Sequence, residues 1–145
     1  MKSQIILCSG GARSGKSEFA ERLALATEGR KAYVATGQAF DDEMVDRIKK
    51  HQERRGNIWT NFEIPLYLAE EWQHISSVAD VILIGCLTMF TTNHMMAHGS
   101  IQGQQDANRL EDTVLSELEA LLNLIKVSDD KIVIFVTNEI GPVSY

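Results

Sequence analysis

The stretch Gly10-Gly11-Ala12-Arg13-Ser14-Gly15-Lys16-Ser17 matches the phosphate-binding loop pattern G-x-x-x-x-G-K-[ST]. It follows the apolar run Ile5-Ile6-Leu7-Cys8, which predicts a strand, and it precedes a helical pattern that begins near Glu18. Glycines allow such a loop to curl so that backbone N–H groups point at a phosphate, and the helix adds the positive end of its dipole. Nucleotide binding is therefore the first hypothesis.

The side chains of this loop have distinct predicted roles. Lys16 is expected to reach the β- and γ-phosphates of a nucleotide, which makes it a candidate catalytic residue. The Ser17 hydroxyl is expected to ligate a Mg²⁺ ion that bridges the same oxygens. All eight loop positions are candidate nucleotide-binding residues: Gly10, Gly11, Ala12, Arg13, Ser14, Gly15, Lys16 and Ser17.

The composition limits the classes of function. The chain has 145 residues, which suits one domain, and its net charge of -6 disfavours a role in nucleic-acid binding. Cys8 and Cys86 each lie inside an apolar run and are expected to be buried rather than to form a disulfide or ligate metal. The sequence shows neither a signal peptide nor an apolar stretch long enough to span a bilayer. We therefore predict a cytoplasmic protein.

Strand-like and helical segments alternate along the chain. Apolar runs predict strands at residues 5–8, 31–36, 79–86 and 131–137, with 58–62 as a shorter extended piece. Helical patterns occupy residues 18–28, 41–55, 66–74, 88–97 and 110–125, whereas the polar residues 98–105 predict a loop. This alternation predicts one α/β domain over residues 1–145, P-loop NTPase-like, with a mostly parallel sheet and helices on both faces.

Ligands of such sheets bind beyond the carboxyl ends of the strands, which draws attention to residues 10–17, 36–42, 85–88 and 137–141. The segment 47–55 is strongly basic, although the chain as a whole is acidic. A solvated helix face is the commoner explanation of such a charge run. A local anionic partner is the alternative.

The sequence resembles the adenosylcobinamide kinase/adenosylcobinamide-phosphate guanylyltransferase family of cobalamin biosynthesis. The resemblance extends in order over nearly the whole chain. The matching stretches are Gly10 to Ser17, Tyr33-Val34-Ala35-Thr36, Asp41-Asp42-Glu43-Met44, Arg47-Ile48 with His51 and Arg55, Trp59, Glu63 with Pro65, Cys86-Leu87-Thr88 with Thr92-Asn93, and Thr137-Asn138-Glu139-Ile140-Gly141.

This resemblance implies two reactions: phosphorylation of adenosylcobinamide by ATP or GTP, and then transfer of GMP from GTP onto the new phosphate. The second reaction runs through a GMP–histidine intermediate, and the family's histidine falls on His51. A neutral imidazole is a competent nucleophile near neutral pH. The resemblance also implies a homo-oligomer and nucleotide contacts from Thr36, Arg47, Arg55 and Glu63.

The sequence departs from the family pattern at two places. Gly85 stands where the family usually carries a carboxylate that supports Mg²⁺ or contacts the nucleotide. Pro142-Val143-Ser144-Tyr145 follows the last match, so we expect the family's C-terminal helix and strand to be lacking and part of an apolar sheet face to be exposed. Two alternatives stay open at this point: a P-loop kinase that retains only phosphoryl transfer, and a nucleotide-binding remnant without turnover.

Overall fold

Five apolar or alternating segments form one sheet in the computed structural model, which describes residues 2–11, 14–37, 45–46, 49–50, 52–53 and 56–138. The strands are β1 (Gln4–Gly10), β2 (Lys31–Ala35), β3 (Trp59–Glu63), β4 (Val81–Gly85) and β5 (Ile132–Asn138). Their order is β1-β5-β4-β2-β3, and each neighbouring pair is parallel. The predicted α/β class with a mostly parallel sheet is confirmed.

Four helices within the described ranges pack around this sheet: α1 (Lys16–Ala26), α2 (Leu68–Val78), α3 (Leu87–His98) and α4 (Gly103–Val127). A short 3-10 turn, Gly56–Ile58, precedes β3. Residues 45–46, 49–50 and 52–53 are also helical, as predicted for the segment 41–55, whose other residues lie outside the described part. No helix in the described part is long and apolar enough to cross a bilayer.

The sheet is apolar on both faces because successive side chains of its central strands are buried and point to opposite faces. Ile82 and Ile84 of β4 belong to the core on the side of α2, α3 and α4, whereas Val81 and Leu83 belong to the core on the side of α1. A strand that is buried on both faces needs helices on both faces, and this requirement explains the layered arrangement. Trp59 and Trp72 are both buried in these cores.

The strand β1 lies at one end of the sheet. Ile5 is paired with Val133 and Leu7 with Phe135 in the parallel register, so these side chains point to the same face of the sheet. Val133 and Phe135 are buried under helices, but Ile5 is 40% exposed and Leu7 is 61% exposed. On this face of the sheet, the helices of the described part therefore do not cover β1.

The predicted loop over residues 98–105 was wrong at both ends. His98 is the last residue of α3 and Gly103 is the first of α4, so residues 99–102 alone form the connection. The connection is shorter than predicted because Asp106 contacts both of its ends. Its Oδ1 lies 2.7 Å from Nε2 of His98, and its Oδ2 accepts a hydrogen bond from the backbone N–H of Gln102 (2.9 Å). These contacts hold the end of one helix against the start of the next.

Asp80 joins three strands at the amino-terminal edge of the sheet. Its carboxylate accepts hydrogen bonds from Arg30 through the backbone N–H (2.9 Å), Nε (3.1 Å) and Nη2 (3.1 Å), and it lies 3.5 Å from Nζ of Lys131. Its carbonyl accepts from the N–H of Ile132 (2.9 Å). The hydrogen bonds from Arg30 hold the pKa of Asp80 well below its usual range. Asp80 therefore fastens the starts of β2, β4 and β5 to one another.

We expect Asp80→Ala to lower the free energy of unfolding by about 1 kcal/mol at pH 7, a value that allows for solvent screening of a carboxylate whose side chain is 34% exposed. Because folding lowers this pKa, the carboxylate stabilises the fold above its unfolded pKa of about 4, and this contribution decreases as the pH falls below that value. Chemical denaturation from pH 7 to pH 3 measures both effects. Glu119→Ala, at an exposed position of α4, is the control. A difference from wild type that does not shrink in acid would contradict the ionic origin.

Candidate functional site

The described part of the phosphate loop leads from β1 directly into α1. Gly15 precedes the first residue of α1 and has a φ of 82°, in the left-handed region that favours glycine. Its carbonyl accepts a hydrogen bond from the N–H of Phe19 (3.0 Å), which starts the helical ladder. No side chain of the described residues caps this helix end. Its first N–H groups are therefore available to an anion.

Two contacts within the loop involve Gly10 and Lys16. A Cβ atom at Gly10 would lie 2.6 Å from Oγ of Ser14, so the Ser14 side chain would have to move to admit a larger residue there. The half-buried Lys16 donates a hydrogen bond from Nζ to the carbonyl of Gly11 (3.3 Å), which keeps its charge over the loop. Ser17 is exposed in the first turn of α1. The loop thus presents open N–H groups and an ammonium group, and Ser17 adds an exposed hydroxyl.

A cavity of about 660 Å³ lies beside this loop. Among its described lining residues Lys16 and Arg22 are cationic, and burial raises the pKa of the Cys8 thiol, which favours the neutral thiol over a reactive thiolate. The cavity therefore combines positive charge with an apolar wall, as an anionic ligand with an organic part requires. Its lining consists of Ile6, Leu7, Cys8, Ser9, Gly10, Ser14, Gly15, Lys16, Phe19 and Arg22.

Two further candidate residues lie at the carboxyl ends of β2 and β3. Thr36 is fully buried, and its Oγ1 donates a hydrogen bond to the carbonyl of Cys86 (2.6 Å). Its hydroxyl thus has a structural partner within the protein. Glu63 is exposed, and its Oε1 accepts a hydrogen bond from Nε2 of Gln52 (3.5 Å). Of these two side chains, the carboxylate of Glu63 is the one open to a ligand.

Gly85 ends β4 at the same edge of the sheet. A Cβ atom there would lie 3.3 Å from Oη of Tyr33 and 3.8 Å from Cβ of Val136. The Tyr33 hydroxyl therefore borders the space that the side chain of an acidic residue would enter. This crowding bears directly on whether a carboxylate fits at Gly85.

The strand order separates the candidate residues into two groups. The phosphate loop follows β1 at one end of the sheet, and Glu63 ends β3 at the other. Four interstrand steps of about 4.8 Å place these ends about 19 Å apart across the sheet. The described residues thus form one edge with a phosphate-binding end and a distant acidic end. Of the other candidates, Ala12, Arg13, Arg47, His51 and Arg55 lie outside the described residues.

Sequence reasoning missed Asn93 as a site residue. It is 1% exposed on α3, and its Nδ2 donates hydrogen bonds to the carbonyls of Thr36 (2.6 Å) and Pro65 (3.1 Å). The available signal was the match of Thr92-Asn93 to the family pattern, because the segment 87–96 is itself half polar and gives no contrast. The sequence does not indicate which groups Asn93 contacts, since Thr36 is 57 residues away.

A metal ion would find few protein ligands in the described part of the chain. No group of three or more His, Cys, Asp or Glu side chains there is arranged to hold one. The exposed hydroxyl of Ser17 is nevertheless compatible with Mg²⁺, which usually keeps several waters and takes its remaining ligands from one or two protein groups and from substrate phosphates. The donor set therefore fits a metal that arrives with a nucleotide.

Comparison with protein families matches residues 6–143 to the family described as CobU: Cobinamide kinase / cobinamide phosphate guanyltransferase. The bifunctional adenosylcobalamin biosynthesis protein CobU of Escherichia coli (strain K12) is 33% identical over 146 residues, covering 94% of this chain and 76% of that protein. The corresponding protein CobP of Pseudomonas aeruginosa is 38% identical over 135 residues, covering 93% of this chain and 71% of that protein. CobU of Salmonella typhimurium is 35% identical, with coverage of 94% and 76%.

The contact between Gly85 and Tyr33 generates a prediction. Gly85→Asp alone is expected to lower stability by about 1 kcal/mol, because Tyr33 has to shift to admit the new side chain. Combined with Tyr33→Phe, which removes the crowding hydroxyl, the same substitution should recover most of that loss. It should also increase the affinity for GTP about tenfold when Mg²⁺ is present, since the carboxylate orients the hydrated ion.

Thermal unfolding measures the first effect, and calorimetric titration with and without Mg²⁺ measures the second. Tyr33→Phe alone is the matched control. A double variant that folds well but gains no metal-dependent affinity would show that the end of β4 does not face the metal.

Proposed function

This chain belongs to the cobinamide kinase / cobinamide phosphate guanyltransferase family, and we propose that the phosphate loop and the strand ends of one sheet edge carry both reactions. The chain is a bifunctional kinase and guanylyltransferase of cobalamin biosynthesis, like the relatives that match it. The main structural support for our assignment of residues is the open amino terminus of α1 behind Gly15, with Lys16 beside it.

In the first reaction, we propose that the loop holds the triphosphate of ATP or GTP while a hydroxyl of adenosylcobinamide is phosphorylated. The hydroxyl oxygen forms a bond to the γ-phosphorus, the bond to the bridging oxygen breaks, and a nucleoside diphosphate and a proton are released. Backbone N–H groups and Lys16 stabilise the negative charge on the transferring group. Ser17 would hold Mg²⁺, which supplies further charge neutralisation when it is bound.

In the second reaction, we propose that His51 is the nucleophile. Its imidazole attacks the α-phosphorus of GTP, a P–N bond forms, and pyrophosphate leaves. The phosphate of the phosphorylated cobinamide then displaces the histidine and takes the GMP group. Arg47 and Arg55 are proposed to offset the negative charge of the phosphates.

The described neighbours of His51 in the sequence support this assignment. Gln52, the next residue, contacts Glu63 at the carboxyl end of β3. That contact lies at the edge where ligands of parallel sheets bind. We propose that the exposed Glu63 contacts the nucleotide, whereas Thr36 acts by holding the end of β2 against Cys86.

We also propose that the protein works in the cytoplasm, where ATP and GTP are available, and that it forms a homo-oligomer. The support for association is the exposed apolar face of β1, where Ile5 and Leu7 lack helical cover in the described part. Exposed apolar surface of this kind is characteristic of protein interfaces.

The histidine assignment is tested with GTP labelled at the α-phosphate or at the γ-phosphate. The α-label is expected to become attached to the protein, and the γ-label is not, because pyrophosphate leaves. A P–N bond should make the attachment acid-labile. His51→Asn should abolish labelling while GTP still binds, whereas Lys16→Ala should weaken both binding and labelling.

Two outcomes would contradict this assignment. Label that persists in His51→Asn would place the nucleophile elsewhere. Absence of label from wild-type protein that binds GTP would leave phosphoryl transfer as the one reaction of this site.

Association is tested by sedimentation. Leu7→Lys is expected to shift the protein towards the monomer, because a charge at that apolar surface opposes burial. Val127→Lys, at an 80% exposed position near the end of α4, is the matched control and should sediment like wild type. A wild-type protein that is monomeric at all concentrations tested would refute the proposed oligomer.

A further inference from the structure

Asn93 of α3 connects the segment that follows β2 with the segment that follows β3. Its Nδ2 donates to the carbonyl of Thr36, one residue after β2, and to the carbonyl of Pro65, two residues after β3. The donor–acceptor distances are 2.6 Å and 3.1 Å, and the side chain is almost completely buried. A single amide group thus links the segments just beyond two neighbouring strand ends.

The orientation of this amide follows from its partners. Both partners are carbonyl oxygens, so a flipped amide would bring Oδ1 against two acceptors. In the observed orientation Oδ1 is buried without a hydrogen-bond partner in the described structure. An orphaned buried acceptor costs about 1–3 kcal/mol, so a packing role alone would be served better by an apolar residue of similar size. The two donated bonds are what an asparagine adds at this position.

The connection continues towards the acidic end of the site. Ile64 donates from its N–H to the carbonyl of Ala35 (2.9 Å), which pairs the two strand ends beside the Asn93 contact. Glu63 immediately precedes Ile64 and contacts Gln52 (3.5 Å). A shift of Pro65 therefore moves Glu63 and its partner as well.

We propose that Asn93 is a positioning residue for guanylyl transfer. By holding the carbonyls of Thr36 and Pro65 together, it places Glu63 and Gln52 at the carboxyl edge of the sheet. This inference rests on the proposed function, in which Glu63 contacts the nucleotide and His51 precedes Gln52. The phosphate loop follows β1, which pairs with β5 at the other end of the sheet, so triphosphate binding does not depend on Asn93.

The test uses Asn93→Leu, which has a similar volume but donates no hydrogen bond. Misplacement of reacting groups by a fraction of an ångström slows chemistry strongly, so covalent labelling from α-labelled GTP should be at least about tenfold slower at saturating GTP. The dissociation constant for GTP should change by less than about threefold, because the phosphate contacts remain. A general loss of structure would instead impair both the labelling rate and the affinity for GTP.

Thr91→Val is the matched control on the same helix. Thr91 Oγ1 donates to the carbonyl of Leu87 (3.1 Å) within α3, so its replacement removes a side-chain hydrogen bond from the same helix but leaves the strand ends untouched. It should label at the wild-type rate. Circular dichroism establishes folding of each variant, and Asn93→Ala, which removes the donor without adding a charge or bulk, substitutes if Asn93→Leu does not fold.

The outcomes separate this inference from the proposed function. Labelling at the wild-type rate in a folded Asn93 variant would overturn the positioning role alone. Equal losses of labelling rate and GTP affinity would also overturn it, because Asn93 would then support the whole nucleotide site. Absence of label in the wild type would overturn the histidine assignment and this inference together.

Discussion

Burial of β4 on both faces is the constraint on which the rest of the fold depends. Val81 and Leu83 face α1, and Ile82 and Ile84 face the helices of the opposite layer. A strand of this kind has no polar face to offer to water, so both its backbone edges and both its faces must be covered. Parallel neighbouring strands pair with its backbone edges, and crossover helices cover its faces. The same arrangement collects the carboxyl ends of all five strands at one edge, where the candidate site lies.

The fold was predictable because its signals are local. The run 79–86 predicts a buried strand, and the loop from Gly10 to Ser17 predicts a strand, a turn and a helix in succession. The edge strand β3 gave a weaker signal in the sequence, because Thr60, Asn61 and Glu63 are polar and exposed. The connection between α3 and α4 was predicted too long because polar residues such as Gln104 suit an exposed helical turn as well as a loop.

The site was predictable only in part, because its remaining features depend on distant parts of the chain. No local pattern indicates that the Thr36 hydroxyl is engaged by Cys86, fifty positions away, or that Tyr33 borders the space beside Gly85. The contacts of Asn93 likewise join two residues that follow different strands. Residues in a local motif, such as Lys16, could be proposed as site residues from the sequence. Contacts between distant parts of the chain could not.

The strand order has a consequence for how this enzyme can change. Because about 19 Å separates the loop after β1 from the end of β3, substitutions at the two ends lie well beyond the distance at which effects on stability usually interact. Their contributions to the free energy of unfolding should therefore add. Substitutions of Arg22 beside the loop and of residues around Glu63 can thus be screened separately for stability and then combined. A stabilising change found at one end of the sheet is expected to keep its value when the other end is varied.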